Sequence, residues 1–66
     1  MDTLFKVLNT DDTYFYINDD SGAGLKVGDY GIFNGKLYKV HSRTLDITNS
    51  TWTIMLERCK DKEDKK

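Results

Sequence analysis

The feature that most constrains this chain is Asn34-Gly35, set between Tyr30-Gly31-Ile32-Phe33 and Lys36-Leu37-Tyr38-Lys39-Val40. The two central residues of a type I′ turn both need positive φ, which Asn and Gly adopt at little cost. Asn-Gly between two β-rich runs therefore reads as a tight hairpin. A two-residue turn also sets the register, pairing Phe33 with Lys36, Ile32 with Leu37, Gly31 with Tyr38, Tyr30 with Lys39 and Asp29 with Val40. Side chains alternate along a strand, so Phe33, Tyr38 and Val40 share one face, with Gly31 leaving room for the Tyr38 ring. Tyr30, Ile32 and Leu37 share the other, beside Lys39. The first face is assigned to the core. The second is apolar too, and a single sheet cannot bury both sides against itself.

At 66 residues the chain makes a single domain, expected over residues 1–57. A domain this small buries roughly 60% of the surface its unfolded chain exposes, which leaves a thin core. Cys59 is the single cysteine and His41 the single histidine, so neither an internal disulfide nor a Cys/His zinc site is available as a staple. Eight aromatic residues (four Tyr, three Phe, one Trp) must supply much of the packing, aided where needed by a second copy in a homo-oligomer. No apolar run approaches the roughly 20 residues that span a bilayer, so no membrane contact is expected. Met1–Lys6 lacks the basic and apolar regions of an export signal. Together with a lone thiol, that points to a reducing, cytoplasmic compartment. The net charge of −1 is unevenly spread: residues 1–30 carry six acids and two bases, residues 31–56 three bases and one acid.

Residues 3–8 alternate loosely and read as a first strand, followed by an Asn9-Thr10-Asp11-Asp12 turn. Thr13-Tyr14-Phe15-Tyr16-Ile17 suits a second strand, with Tyr14 and Tyr16 on one face and Phe15 and Ile17 on the other. Neither face is polar, so the core side stays open. Asn18–Gly24 reads as the longest loop. Beyond the hairpin, His41-Ser42-Arg43-Thr44 leads to Leu45-Asp46-Ile47-Thr48, and Asn49-Ser50 turns the chain into Thr51–Leu56, where Trp52, Ile54 and Leu56 alternate with more polar residues. A two-residue turn there pairs Ile47 with Trp52 and Leu45 with Ile54. Core residues are even-numbered up to Val40 and odd-numbered from Leu45, so a bulge or bend near Ser42–Thr44 must flip the face. The run 57–66 holds five bases and four acids, and residues 58–66 read as a charged, solvated tail.

These strands predict an all-β fold, a five-stranded antiparallel meander closing into a small barrel. The hairpin, with Gly28-Asp29, an apolar run, Asn34-Gly35-Lys36 and Tyr38-Lys39-Val40, resembles those of SH3-like small barrels, which compact proteins of phages and mobile elements often use. The resemblance covers roughly residues 25–57. It implies an SH3-like barrel and a phage or mobile-element setting, hence the host cytoplasm, and assigns no functional residues.

Catalysis has little to work with. His41 has no recognisable nucleophile or partner, and Cys59, though flanked by Arg58 and Lys60, lies in a charged run. No cofactor is expected. Asn18, Asp19, Asp20 and Asp29 hold carboxylates and a carboxamide near Gly22, but their spacing misses the calcium-loop pattern, and a solvated Asx-rich loop is the simpler reading. Two binding functions remain. Tyr30, Ile32, Leu37 and Lys39 form the expected contact face of a non-enzymatic protein-interaction module, such as a phage structural adaptor or an inhibitor of a host protein. Lys36, Lys39 and Arg43 with Tyr14 and Tyr16 are the alternative, a charged and aromatic surface for a signalling nucleotide or single-stranded nucleic acid.

Overall fold

The computed structural model describes residues 1–59, so all of the expected tail beyond Cys59 lies outside the described residues. Five strands follow in order: β1 (Asp2–Val7), β2 (Thr13–Tyr16), β3 (Tyr30–Phe33), β4 (Lys36–Asp46) and β5 (Thr51–Arg58), with one helical turn, α1 (Ser21–Gly24), between β2 and β3. They form one all-β sheet in the spatial order β2-β1-β5-β4-β3.

The β3–β4 hairpin has the expected register, from Phe33 opposite Lys36 to Tyr30 opposite Lys39. Asn34 and Gly35 take φ of 56° and 78°, as a type I′ turn requires. The expected meander is corrected at the centre of the sheet. There β1 runs parallel to β5, with Thr3, Phe5 and Val7 opposite Trp52, Ile54 and Leu56, so the sheet is mixed rather than purely antiparallel. It is also open, a half-barrel with β2 and β3 as its two edges, not a closed barrel. This architecture is compatible with an SH3-like barrel.

The inner face carries the core: Phe5, Val7, Tyr38, Val40, Ile54 and Leu56, with Tyr14, Leu25, Phe33 and Trp52 packed against them. Thr3, also fully buried, directs its hydroxyl to the Asp19 carbonyl and accepts the Gly22 N–H at 3.2 Å. Those bonds seat α1 over the end of the half-barrel. A Cβ on Gly22 would lie 2.4 Å from the Trp52 Cβ, so only glycine permits this close approach. The Asn18–Gly24 segment is thus partly helical, not all loop. It covers Thr3 and Trp52 rather than the outer face of β3.

Four further expectations change. The strand after the hairpin continues unbroken to Asp46, and the register slips between Val40 and Ser42, leaving His41 as the extra residue of a bulge. The parity flip is therefore real but lies just before the expected Ser42–Thr44. Leu45, not Ile47, faces Trp52, and Arg43 faces Ile54. The connection to β5 spans four residues, because the Asp46 carboxylate accepts from the Asn49 backbone N–H (3.2 Å) and side-chain amide (2.9 Å), and Ser50 takes φ of 50°. Finally, a Cβ at Gly31 would meet nothing within 4 Å, so Tyr38 does not need that glycine for room.

Candidate interaction surface

Hydrogen-bond parity decides which backbone groups are left over at each edge. In an antiparallel pair, residues bond across the ladder alternately. The Val40 N–H donates to the Asp29 carbonyl at 2.8 Å, so Gly31 and Phe33 bond to β4 while Tyr30 and Ile32 turn their N–H and C=O groups outward. At the other edge the Val7 N–H donates to the Asp12 carbonyl at 3.1 Å, so Tyr14 and Tyr16 bond to β1 while Thr13 and Phe15 turn outward.

The same residues hold the exposed apolar side chains. Tyr30 is 63% and Ile32 70% exposed on β3, and Phe15 is 52% exposed on β2. Ile17, just past β2, is 70% exposed. Of the expected contact face, the structure brings together all four residues: Ile32 opposite Leu37, which is half-buried, and Tyr30 opposite Lys39, whose ammonium lies 5.8 Å from the Tyr30 ring centre. Lys39 thus stands between the Tyr30 ring on β3 and Glu57, its opposite residue on β5. Lys36 stands at the hairpin tip, opposite Phe33.

Of the alternative nucleotide surface, Tyr14, Tyr16, Lys36 and Arg43 share the inner face, and Lys39 alone lies on the outer one. Tyr14 and Tyr16 turn to the inner face, where their ring centres lie 4.8 and 6.2 Å from that of Phe33. Phe33 reaches across from β3, so side chains rather than backbone bonds bridge the open side. Arg43 also points inward, its guanidinium 4.4 Å from the Trp52 ring centre, with an N–H directed to the Ala23 carbonyl at 3.5 Å. Its Nε, like the Trp52 Nε1, is buried without a hydrogen-bond partner among the described residues. Lys39 lies on the opposite face from both tyrosines.

The remaining singled-out groups have local roles. Asp19 accepts from the Ser21 hydroxyl and from its N–H at 2.9 Å, and those bonds lower the Asp19 pKa, the side-chain bond most. Asn49 does the same to Asp46. Asp29 accepts the Lys26 N–H at 2.9 Å, which holds the turn into β3. His41 is exposed at the bulge, and the Cys59 N–H bonds the Leu37 carbonyl at 3.0 Å. Among the described residues no three His, Cys, Asp or Glu side chains gather to hold a metal ion. Nor is any helix among them long and apolar enough to cross a membrane.

Sequence reasoning did not find an apolar hollow of about 130 Å³ under the hairpin, lined by Phe5, Leu25, Gly31, Ile32, Phe33, Tyr38, Val40 and Leu56. Its one legible sign was a glycine opposite a core tyrosine. The fold and surface define a class, the small all-β half-barrel, with two edges unpaired among the described residues. Compared with protein-family models, curated proteins and solved structures, the chain matches none.

Proposed function

We propose that this chain is a non-enzymatic protein-interaction module that works through the outer face and free edge of β3. The observation carrying this reading is that Tyr30 and Ile32 leave 63% and 70% of their surface to water on a strand whose outward backbone groups have no partner among the described residues. An aromatic and an aliphatic residue with cations at the margin make the usual contact composition. An open edge supplies hydrogen bonds that a partner can complete. In the phage or mobile-element setting that the hairpin's resemblance implies, the corresponding roles are a structural adaptor or an inhibitor that occludes a host protein, acting in the cytoplasm.

A photo-crosslinking amino acid in place of Ile32, compared with the same probe in place of the exposed Thr48, tests the reading in cells making the chain. Protein adducts at position 32 that are missing at position 48 and lost on Tyr30→Lys are expected. Equal adducts at both positions, or adducts to nucleic acid alone, would overturn it.

A further inference from the structure

We propose that the two open edges are the two halves of one interface: β3 of one copy takes β2 of a second copy as its antiparallel neighbour, so that the chain assembles head to tail. This rests on the reading of the β3 face as a protein contact and names its partner.

Three independent features agree. The first is backbone parity. Tyr30 and Ile32 offer their N–H and C=O groups outward on β3, and Thr13 and Phe15 do so on β2. Residues that exchange both bonds in an antiparallel pair stand directly opposite and on the same face. Tyr30 opposite Phe15, with Ile32 opposite Thr13, therefore lays the exposed apolar side chains of the two edges against each other. A one-residue slip would turn them to opposite faces.

The second feature is direction. Strands β1, β3 and β5 run one way and β2 and β4 the other. A second copy rotated about an axis along the strands keeps that sense, so its β2 arrives antiparallel to β3. The third is charge. The turn before β2 carries Asp11 and Asp12 and no base, whereas the β3–β4 hairpin over residues 30–40 carries Lys36 at its tip and Lys39, the latter opposite Glu57 of β5, and no carboxylate of its own. In the register above, the Asn34-Gly35-Lys36 tip of one copy sits beside the Asp11-Asp12 turn of the next. A contact using two different patches closes into a ring if the rotation permits and otherwise runs on as a filament.

Size-exclusion chromatography with light scattering tests this on the full chain. The wild type should exceed the 7.6 kDa of one chain and grow between micromolar and millimolar concentration, less so in high salt. Ile32→Lys blocks the β3 edge and Phe15→Lys the β2 edge, both at exposed positions. Each alone should run at 7.6 kDa, and an equal mixture should restore a species of two chains, because each variant keeps the edge that the other lacks. A wild type that stays at one chain throughout overturns the proposal whatever the variants do. A mixture that stays monomeric overturns it too, and so does a Phe15→Lys variant that still pairs alone, since a symmetric β3–β3 contact would behave in that second way. A monomeric chain whose position-32 probe still captures a different protein removes the self-assembly and leaves the interaction reading standing.

Discussion

Two isoleucines in this sheet have opposite surroundings. Ile54, in the middle of β5, is wholly enclosed, with Phe5 beside it on β1 and Arg43 on β4. Ile32, in the middle of β3, is 70% exposed and has one neighbouring strand instead of two among the described residues. Both lie in regular strands, and each is a β-branched residue suited to a pleated ladder. The difference comes from the half-barrel itself, which folds only one face of the sheet around a core and leaves the outer face and both edges unspent. Apolar residues on the inside of the central strands hold the fold, and those on the outside of the edge strands are available for contact.

The sharpest way to break that contrast is to truncate both residues. Ile54→Ala should cost about 2–5 kcal/mol, because it empties a site walled on all sides. In a domain this small that is much of the total stability, so the variant should be largely unfolded by thermal denaturation and circular dichroism. Ile32→Ala should stay within about 0.5 kcal/mol of the wild type by the same measurement, as exposed substitutions do. Loss of the fold on Ile32→Ala would move that residue into the core.

Gly22→Ala comes next. The added methyl would be driven into Trp52, and overpacking of that kind costs about 1–3 kcal/mol, read as a lower denaturant midpoint. Gly31→Ala has the opposite sign. Its Cβ meets open space beside the hollow and its φ is not positive, so a stabilisation of about 0.4–1 kcal/mol is expected from the less flexible unfolded chain. No loss at Gly22 would show that α1 is not seated as described, and a loss at Gly31 would show that the space beside it is filled.

The smallest effect is on acid stability. Hydrogen bonds from Ser21 and Asn49 lower the pKa values of Asp19 and Asp46 in the folded chain. A depressed carboxyl pKa contributes stability above its unfolded value of about 3.9, and that contribution is lost as pH falls through the folded value. Asp46→Asn should flatten the fall of the melting temperature below about pH 4 and leave the hollow and the β3 edge unchanged. An unaltered acid limb would show that the turn bond adds nothing to folding.

The β3–β4 hairpin was legible because its determinants are local: Asn34-Gly35 sets the turn, and the turn sets every pairing to Tyr30. The inner positions of Tyr38 and Val40 followed from the same register. The parallel β1–β5 pairing was not legible, since it joins segments nearly fifty residues apart in the sequence and no local signal marks it. Asn49-Ser50 misled for a physical reason: the Asp46 side chain captures Asn49 and widens the loop, which carries Ile47 out to 81% exposure. Ser21–Gly24 has poor helix formers and becomes helical because Thr3 and Trp52 hold it, a tertiary effect. In β2 both faces are apolar, so alternation alone had no means of choosing Tyr14 and Tyr16 for the inside. The exposed Tyr30 and Ile32 were legible as a surplus face. That β3 is an edge was not, because edges depend on the order of all five strands.

Amide hydrogen exchange resolved by residue along β3 tests the central claim most directly. In dilute chain, the N–H groups of Tyr30 and Ile32 should exchange fast while those of Gly31 and Phe33, bonded to β4, exchange slowly. On association, at high concentration or with a captured protein, Tyr30 and Ile32 should become protected and Gly31 should change little. Slow exchange at Ile32 in the lone chain, or no protection there in any bound state, would contradict the account.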